Sequence, residues 1–168
     1  HVYCLVSSNT MSWPTLFKFV ITGDFDKELI ENHYVDIHRT STFFSSILHF
    51  AIVGGNITTI RYLLKLGANV NQSNAFLESP LHWCCKLGNI DIARLLIANG
   101  ADITHKDSEG NSILHWAAEY DQYEIVSELI SLKVPLNEKN NDYNTPLDLA
   151  LENASFESLC ILERALNY

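Results

Sequence analysis

No run of apolar residues in this 168-residue chain approaches the roughly 18 needed to cross a bilayer. Positive charge is also scarce. Eleven Lys and Arg stand against 20 Asp and Glu, for a net charge of −9 and a pI near 5.1. That balance excludes nonspecific attraction to nucleic acid or anionic lipid. The four cysteines, Cys4, Cys84, Cys85 and Cys160, have no framework spacing, and neighbours on one helix cannot easily bridge each other. A disulfide scaffold is therefore excluded, and reduced thiols in an intracellular compartment are expected. Residues 1–10 carry no basic region and only the short apolar run Val2 to Val6, so no signal peptide is read there. What remains, 47% apolar and 18% charged, is the composition of a folded chain long enough for a continuous core.

The chain is rich in repetition. Leu48-His49, Leu81-His82 and Leu114-His115 recur every 33 residues, and Leu147-Asp148 falls one period later. Such a period marks a stack of supersecondary units whose apolar faces are buried against their neighbours. Ser46, Ser79, Ser112 and Thr145 precede the Leu in each unit, where a hydroxyl can accept from the free N–H groups of a helix start. Pro80 and Pro146 follow at the first-turn position, which needs no N–H. Apolar residues then recur at helical spacing, as in Leu114, Ala117 and Ala118. Gly55 and Gly88 end the first helix, and Asp121 holds that place in the next unit. A second helix follows, for example Ile90-Ala93-Leu96-Ile97, closed by Gly67 or Gly100 and in one unit by Lys133.

These residues resemble the ankyrin repeat family over roughly 14–166. The resemblance implies an all-α ankyrin solenoid of about five helix–turn–helix units with short hairpin fingers and a concave groove. The expected division is an extension at 1–13 and a repeat domain at 14–168. Within the domain a degenerate unit at 14–40 precedes units at 41–73, 74–106 and 107–139 and a capping unit at 140–168. Gly110 keeps the glycine of the family's finger turn, whereas Phe44, Leu77 and Tyr143 replace it, which leaves the shape of those turns open.

His82-Trp83-Cys84-Cys85 has the look of a metal or nucleophile cluster, since His82 and Cys85 lie one helical turn apart. However, His49 and His115 hold the same phase without cysteines, and alanines replace those cysteines in the next unit. The cluster is read as packing, with the histidines bridging neighbouring finger loops. No carboxylate pair suits acid–base work, and Gly54-Gly55 lies at a helix end rather than in a phosphate loop. No catalytic residue, metal or cofactor is expected.

The expected function is protein–protein interaction in the groove. By phase, the partner-binding candidates are Phe43, Val53, Phe76, Glu78, Trp83, Lys86, Leu87, Glu109, Asn111, Glu119, Tyr120 and Asp142. Phe43 and Phe76 share one finger position and either fold back over the loops or anchor a ligand. Phe50, Trp83 and Trp116 share a helix position, read first as inter-repeat packing and second as binding anchors. Glu109, Glu119 and Asp142 turn the groove acidic toward its C-terminal end. The expected partner is therefore a protein or peptide with an apolar segment and basic character, with the chain itself monomeric and cytoplasmic.

The stretch Leu77 to Trp83 is also similar to a repeat of the ankyrin domains of membrane palmitoyltransferases of the huntingtin-interacting type. That similarity implies recruitment of extended substrate peptides with participation of Trp83, on the cytosolic face of a membrane. A polar Asn of that family falls on Gly54 here. A free adaptor, a recruitment domain of a larger enzyme and a structural spacer are the three function classes. Separately, Asn71 sits in a context resembling sites of asparaginyl hydroxylation.

Overall fold

A computed structural model describes residues 18, 20–22, 40 and 45–167. The extension at 1–13 and most of the unit expected at 14–40 lie outside the described residues. Helical residues 20–22 precede eight helices: α1 Ile47–Gly54, α2 Ile57–Lys65, α3 Pro80–Leu87, α4 Ile90–Ala98, α5 Ile113–Glu119, α6 Tyr123–Ser131, α7 Pro146–Glu152 and α8 Phe156–Leu166. First helices start 33 residues apart, and so do second helices. Among the described residues, extended structure is limited to two isolated bridges, Thr40 to Ser46 and Lys106 to Ser112. The fold is all-α, and no described helix is long and apolar enough to cross a membrane.

Each helix start follows from its sequence. Ser46, Ser79, Ser112 and Thr145 are the N-caps of α1, α3, α5 and α7, and all four are extended. Asn56 and Asn89 cap α2 and α4, their Oδ1 atoms accepting from backbone N–H groups of the first turn. First helices pack on one another in series, as do second helices, and each first helix packs on its own second helix. The core lies between these layers. Leu48, Leu81 and Leu114 are at most 2% exposed. The seats of Ala51, Cys84, Ala117 and Ala150 are fully buried, and the small side chains let neighbouring helices approach closely.

Left-handed backbone recurs with the period. It closes the first helices at Gly55, Gly88, Asp121 and Ala154, the second helices at Gly67, Gly100 and Lys133, and the fingers at Leu77, Gly110 and Tyr143. The finger turns left open by sequence are thus alike at Leu77, Gly110 and Tyr143, while Phe44 lies outside the described residues. An acceptor side chain sets each turn. Asn74 Oδ1 accepts from the N–H groups of Phe76 and Glu78, Asp107 Oδ1 from Glu109 and Asn111, and Asn140 Oδ1 from Asp142 and Asn144. Adjacent fingers are stitched by Ser108 N–H to Phe76 O and Asn141 N–H to Glu109 O, both at 2.9 Å.

The three motif histidines join unit to unit. Nδ1 of His49, His82 and His115 accepts from the N-cap N–H of Ser46, Ser79 and Ser112 at 3.0, 3.1 and 3.2 Å. A ring nitrogen that accepts carries no proton, so the proton sits on Nε2. Nε2 then donates to the carbonyls of Glu78, Asn111 and Asn144, each 29 residues ahead in the next finger. Burial outweighs these carbonyls and holds His49 and His82 down to about 4, and it lowers His115 as well. The imidazoles are neutral struts.

Candidate functional site

Three consecutive first helices open toward the fingers around one cavity of about 220 Å³. Val53 comes from the end of α1, Trp83, Lys86 and Leu87 from α3, and Trp116 from α5, while Glu78 reaches in from a finger. Five of these six residues are sequence candidates. Val53 and Leu87 remain 47% and 50% exposed, so folding leaves their apolar surface in water.

Hydrogen bonds and ring contacts fix the cavity walls. Trp83 Nε1 donates to Glu78 Oε2 at 2.8 Å, and the same oxygen accepts from Asn74 Nδ2 at 2.6 Å. The Trp83 ring meets His49 edge-on at 5.0 Å and Phe50 at 6.3 Å between centroids. Trp116 is only 8% exposed, donates to Asp107 Oδ2 at 2.8 Å and packs edge-on against His82. Both indoles therefore pack and also line the cavity. Sequence placed Trp116 in register with Trp83 and read it first as inter-repeat packing and second as a binding anchor.

Beyond the cavity, Lys86 Nζ stands 5.8 Å from the centroid of Tyr120, whose ring leans on Trp116. Half-buried Glu119 adjoins it. Burial raises the Glu119 carboxyl, and the carboxylates of Glu109 and Asp107 raise it further. Burial likewise raises the Tyr120 hydroxyl, with help from Glu119. This end of the groove is crowded with like charge.

The other candidates lie elsewhere. Phe76 is 52% exposed on its finger and does not line the cavity, while Asp142 is exposed on a finger farther along. Asn111 is 5% exposed, its Oδ1 accepting from Asn140 Nδ2 at 2.7 Å, so it ties two fingers together. Phe43 lies outside the described residues. Asn71 also joins units: its Nδ2 donates to Gly100 O, and its Oδ1 accepts from Asp102 N–H.

Gly54, one residue past Val53, is pressed against the chain before it. A Cβ there would lie 2.5 Å from the Ile21 carbonyl oxygen and 2.8 Å from its Cα. No side chain fits this seat without moving backbone.

Cys84 and Cys85 are fully buried, which pushes both thiols upward and away from reactivity. His82 spends both ring nitrogens on hydrogen bonds. Among the described residues no group of three or more His, Cys, Asp or Glu is placed to hold a metal ion.

A family model for ankyrin repeats (3 copies) matches residues 16–107, and one for ankyrin repeats (many copies) matches residues 96–150. The chain belongs to the ankyrin repeat family. Ankyrin repeats are in general protein-interaction modules without catalysis of their own. None of the curated proteins matches the chain. The cavity thus lies between successive first helices of an ankyrin stack and their fingers.

Proposed function

We propose that this ankyrin domain binds an extended segment of a partner protein, seating an aliphatic side chain in the cavity of Val53, Trp83, Leu87 and Trp116. The observation that carries this reading is apolar surface held open on a preformed wall. Every wall residue is fixed by its helix register or by a hydrogen bond, so little entropy is lost on binding and a few anchors suffice. Glu109, Glu119 and Asp142 favour a basic residue beyond the anchor. On this reading the domain is a monomeric, non-catalytic adaptor that works in the cytosol.

A peptide library displayed on phage and panned on the wild-type domain tests the reading. Selected peptides are expected to pair an aliphatic with a basic residue. Val53→Ala with Leu87→Ala is expected to weaken them by more than about tenfold with little change in stability. Leu66→Ala with Leu132→Ala, equally apolar and exposed at the ends of second helices, is expected to leave them bound. The reverse pattern would place the partner on the convex side.

Trp83 in the cavity wall supports a second reading, the substrate-recruiting arm of a larger membrane palmitoyltransferase. Against an identical peptide motif stands Gly54, whose seat has no room for that family's Asn. The full open reading frame separates the two, because the enzyme requires membrane spans and a Cys-rich Asp-His-His-Cys domain. A spacer is disfavoured by the open apolar cavity. Hydroxylation of Asn71 is a separate proposal, tested by the mass of one added oxygen on its peptide from native cells.

A further inference from the structure

Glu78 breaks the pattern of its register. One unit later Asn111 holds the same seat, and its Oδ1 accepts from Asn140 Nδ2 of the next finger. The matching pair one unit earlier is Glu78 with Asp107, two carboxylates that have no proton to share when both are charged. Glu78 turns back to its own unit, where Oε2 accepts from both Trp83 Nε1 and Asn74 Nδ2. Among the described residues Oε1 has no hydrogen-bond partner, and the half-buried side chain lines the cavity. Lys86 is its counterpart. Glu78 stands just before α3 begins and Lys86 lies in the last turn, so their backbones are roughly 10 Å apart along the helix. The Lys86 ammonium stands over the Tyr120 ring, yet among the described residues it forms no ion pair and its three N–H donors meet no acceptor. An acceptor and a donor thus flank the apolar cavity, one on each side of Trp83 along α3.

We propose that Glu78 and Lys86 form a main-chain clamp for an extended partner segment, Glu78 Oε1 accepting a backbone N–H on one edge and Lys86 Nζ donating to a backbone carbonyl on the other. The clamp rests on the groove reading above and specifies how the ligand lies. A side chain fills the cavity only if its own backbone covers the mouth. The N–H and C=O groups there lose water, which is costly unless they find partners. In an extended chain, neighbouring residues turn these groups to opposite edges, which suits one acceptor and one donor on either side of Trp83. A charged partner strengthens each bond. The clamp reads no side chain, so it tolerates any residue opposite Glu78 except proline, which lacks the N–H.

The test takes peptides from the phage selection, acetylated and amidated at their ends, and resynthesises them with single backbone esters, each replacing one N–H by oxygen. One ester is expected to weaken binding to the wild-type protein by about tenfold or more, and to cost less than about twofold with Glu78→Gln, whose single oxygen stays with Trp83. Because the loss is read within each variant, a shift of Trp83 or a change in stability cancels. Lys86→Met, which keeps the apolar stem, is expected to weaken even a peptide without acidic residues by about fivefold or more. Peptides that depend on Val53 and Leu87 yet tolerate every ester would overturn the clamp and leave the groove reading standing. Peptides indifferent to Val53→Ala with Leu87→Ala would overturn both. A Glu78→Gln loss that disappears when the peptide's basic residue becomes norleucine would give the carboxylate to a side-chain cation, and a requirement for a free terminus would give the two charges to that terminus. Either outcome overturns the clamp.

Discussion

Leu77, Gly110 and Tyr143 hold one finger position, and all three have positive φ, at 58°, 79° and 67°. Left-handed backbone costs an L-residue roughly 1–2 kcal/mol, so two fingers bear a strain that the third avoids. What fixes the turn is the side chain three residues earlier, Asn74, Asp107 or Asn140, which caps the N–H groups inside the loop whatever residue stands at the apex. Sequence flagged the missing glycines and left those turns open. The acceptors at 33-residue spacing were present in it and carried the answer. Gly110 cannot be exchanged as freely as Leu77 suggests, because a Cβ there would lie 2.6 Å from Asn141 Oδ1 and 3.1 Å from Asn141 N. Gly110→Ala is therefore expected to cost about 1–2 kcal/mol, read as a lower urea midpoint at unchanged slope. Leu77→Gly, which relieves strain and adds chain entropy, is expected to stay within about 1 kcal/mol of wild type.

At the scale of the element, the Leu-His step that revealed the period is also the joint between units. The sequence predicted that the histidines bridge neighbouring fingers, and Nδ1 to the helix cap with Nε2 to the next finger is that bridge. It gave no hint of how dry the joint is. His49 and His82 are fully buried, and burial drives both from an ordinary 6.5 down to about 4. The unfolded chain therefore binds protons between those values that the folded chain does not. Stability from the joint is complete above pH 6.5 and falls as pH drops toward 4. For His49 and His82 the loss approaches roughly 3 kcal/mol each at the acid end. Carboxylates mostly keep their charge above pH 5, so the interval from 6.5 to 5 isolates the histidines. Urea midpoints measured across it are expected to fall steadily. A flat profile would mean that the joints accept a proton without opening.

At the scale of the whole molecule, the stack has stability only as a sum of units and the interfaces between them. The repeat period, the all-α class and most of the cavity wall were legible in the sequence, because 33-residue phase fixes which side of a helix each residue occupies. The seat of Gly54 was not. Sequence put it only at a helix end, yet Ile21 packs against it from a unit too degenerate for phase to resolve. Cooperativity across the stack can be probed at Ala117, fully buried in α5 and in register with Ala51, Cys84 and Ala150. A glutamate there has no partner and no room, at a cost of several kcal/mol or roughly half the stability of an ordinary domain. Because α5 packs on both α3 and α7, the damage reaches both neighbours. Ala117→Glu is expected to abolish the single cooperative transition, so that helical circular dichroism and tryptophan fluorescence no longer change together. Ala98→Glu, on the exposed end of α4, is the matched control and is expected to shift the midpoint by no more than about 0.5 kcal/mol. If both variants melt like wild type, Ala117 does not sit between helices and the phase of the stack is wrong.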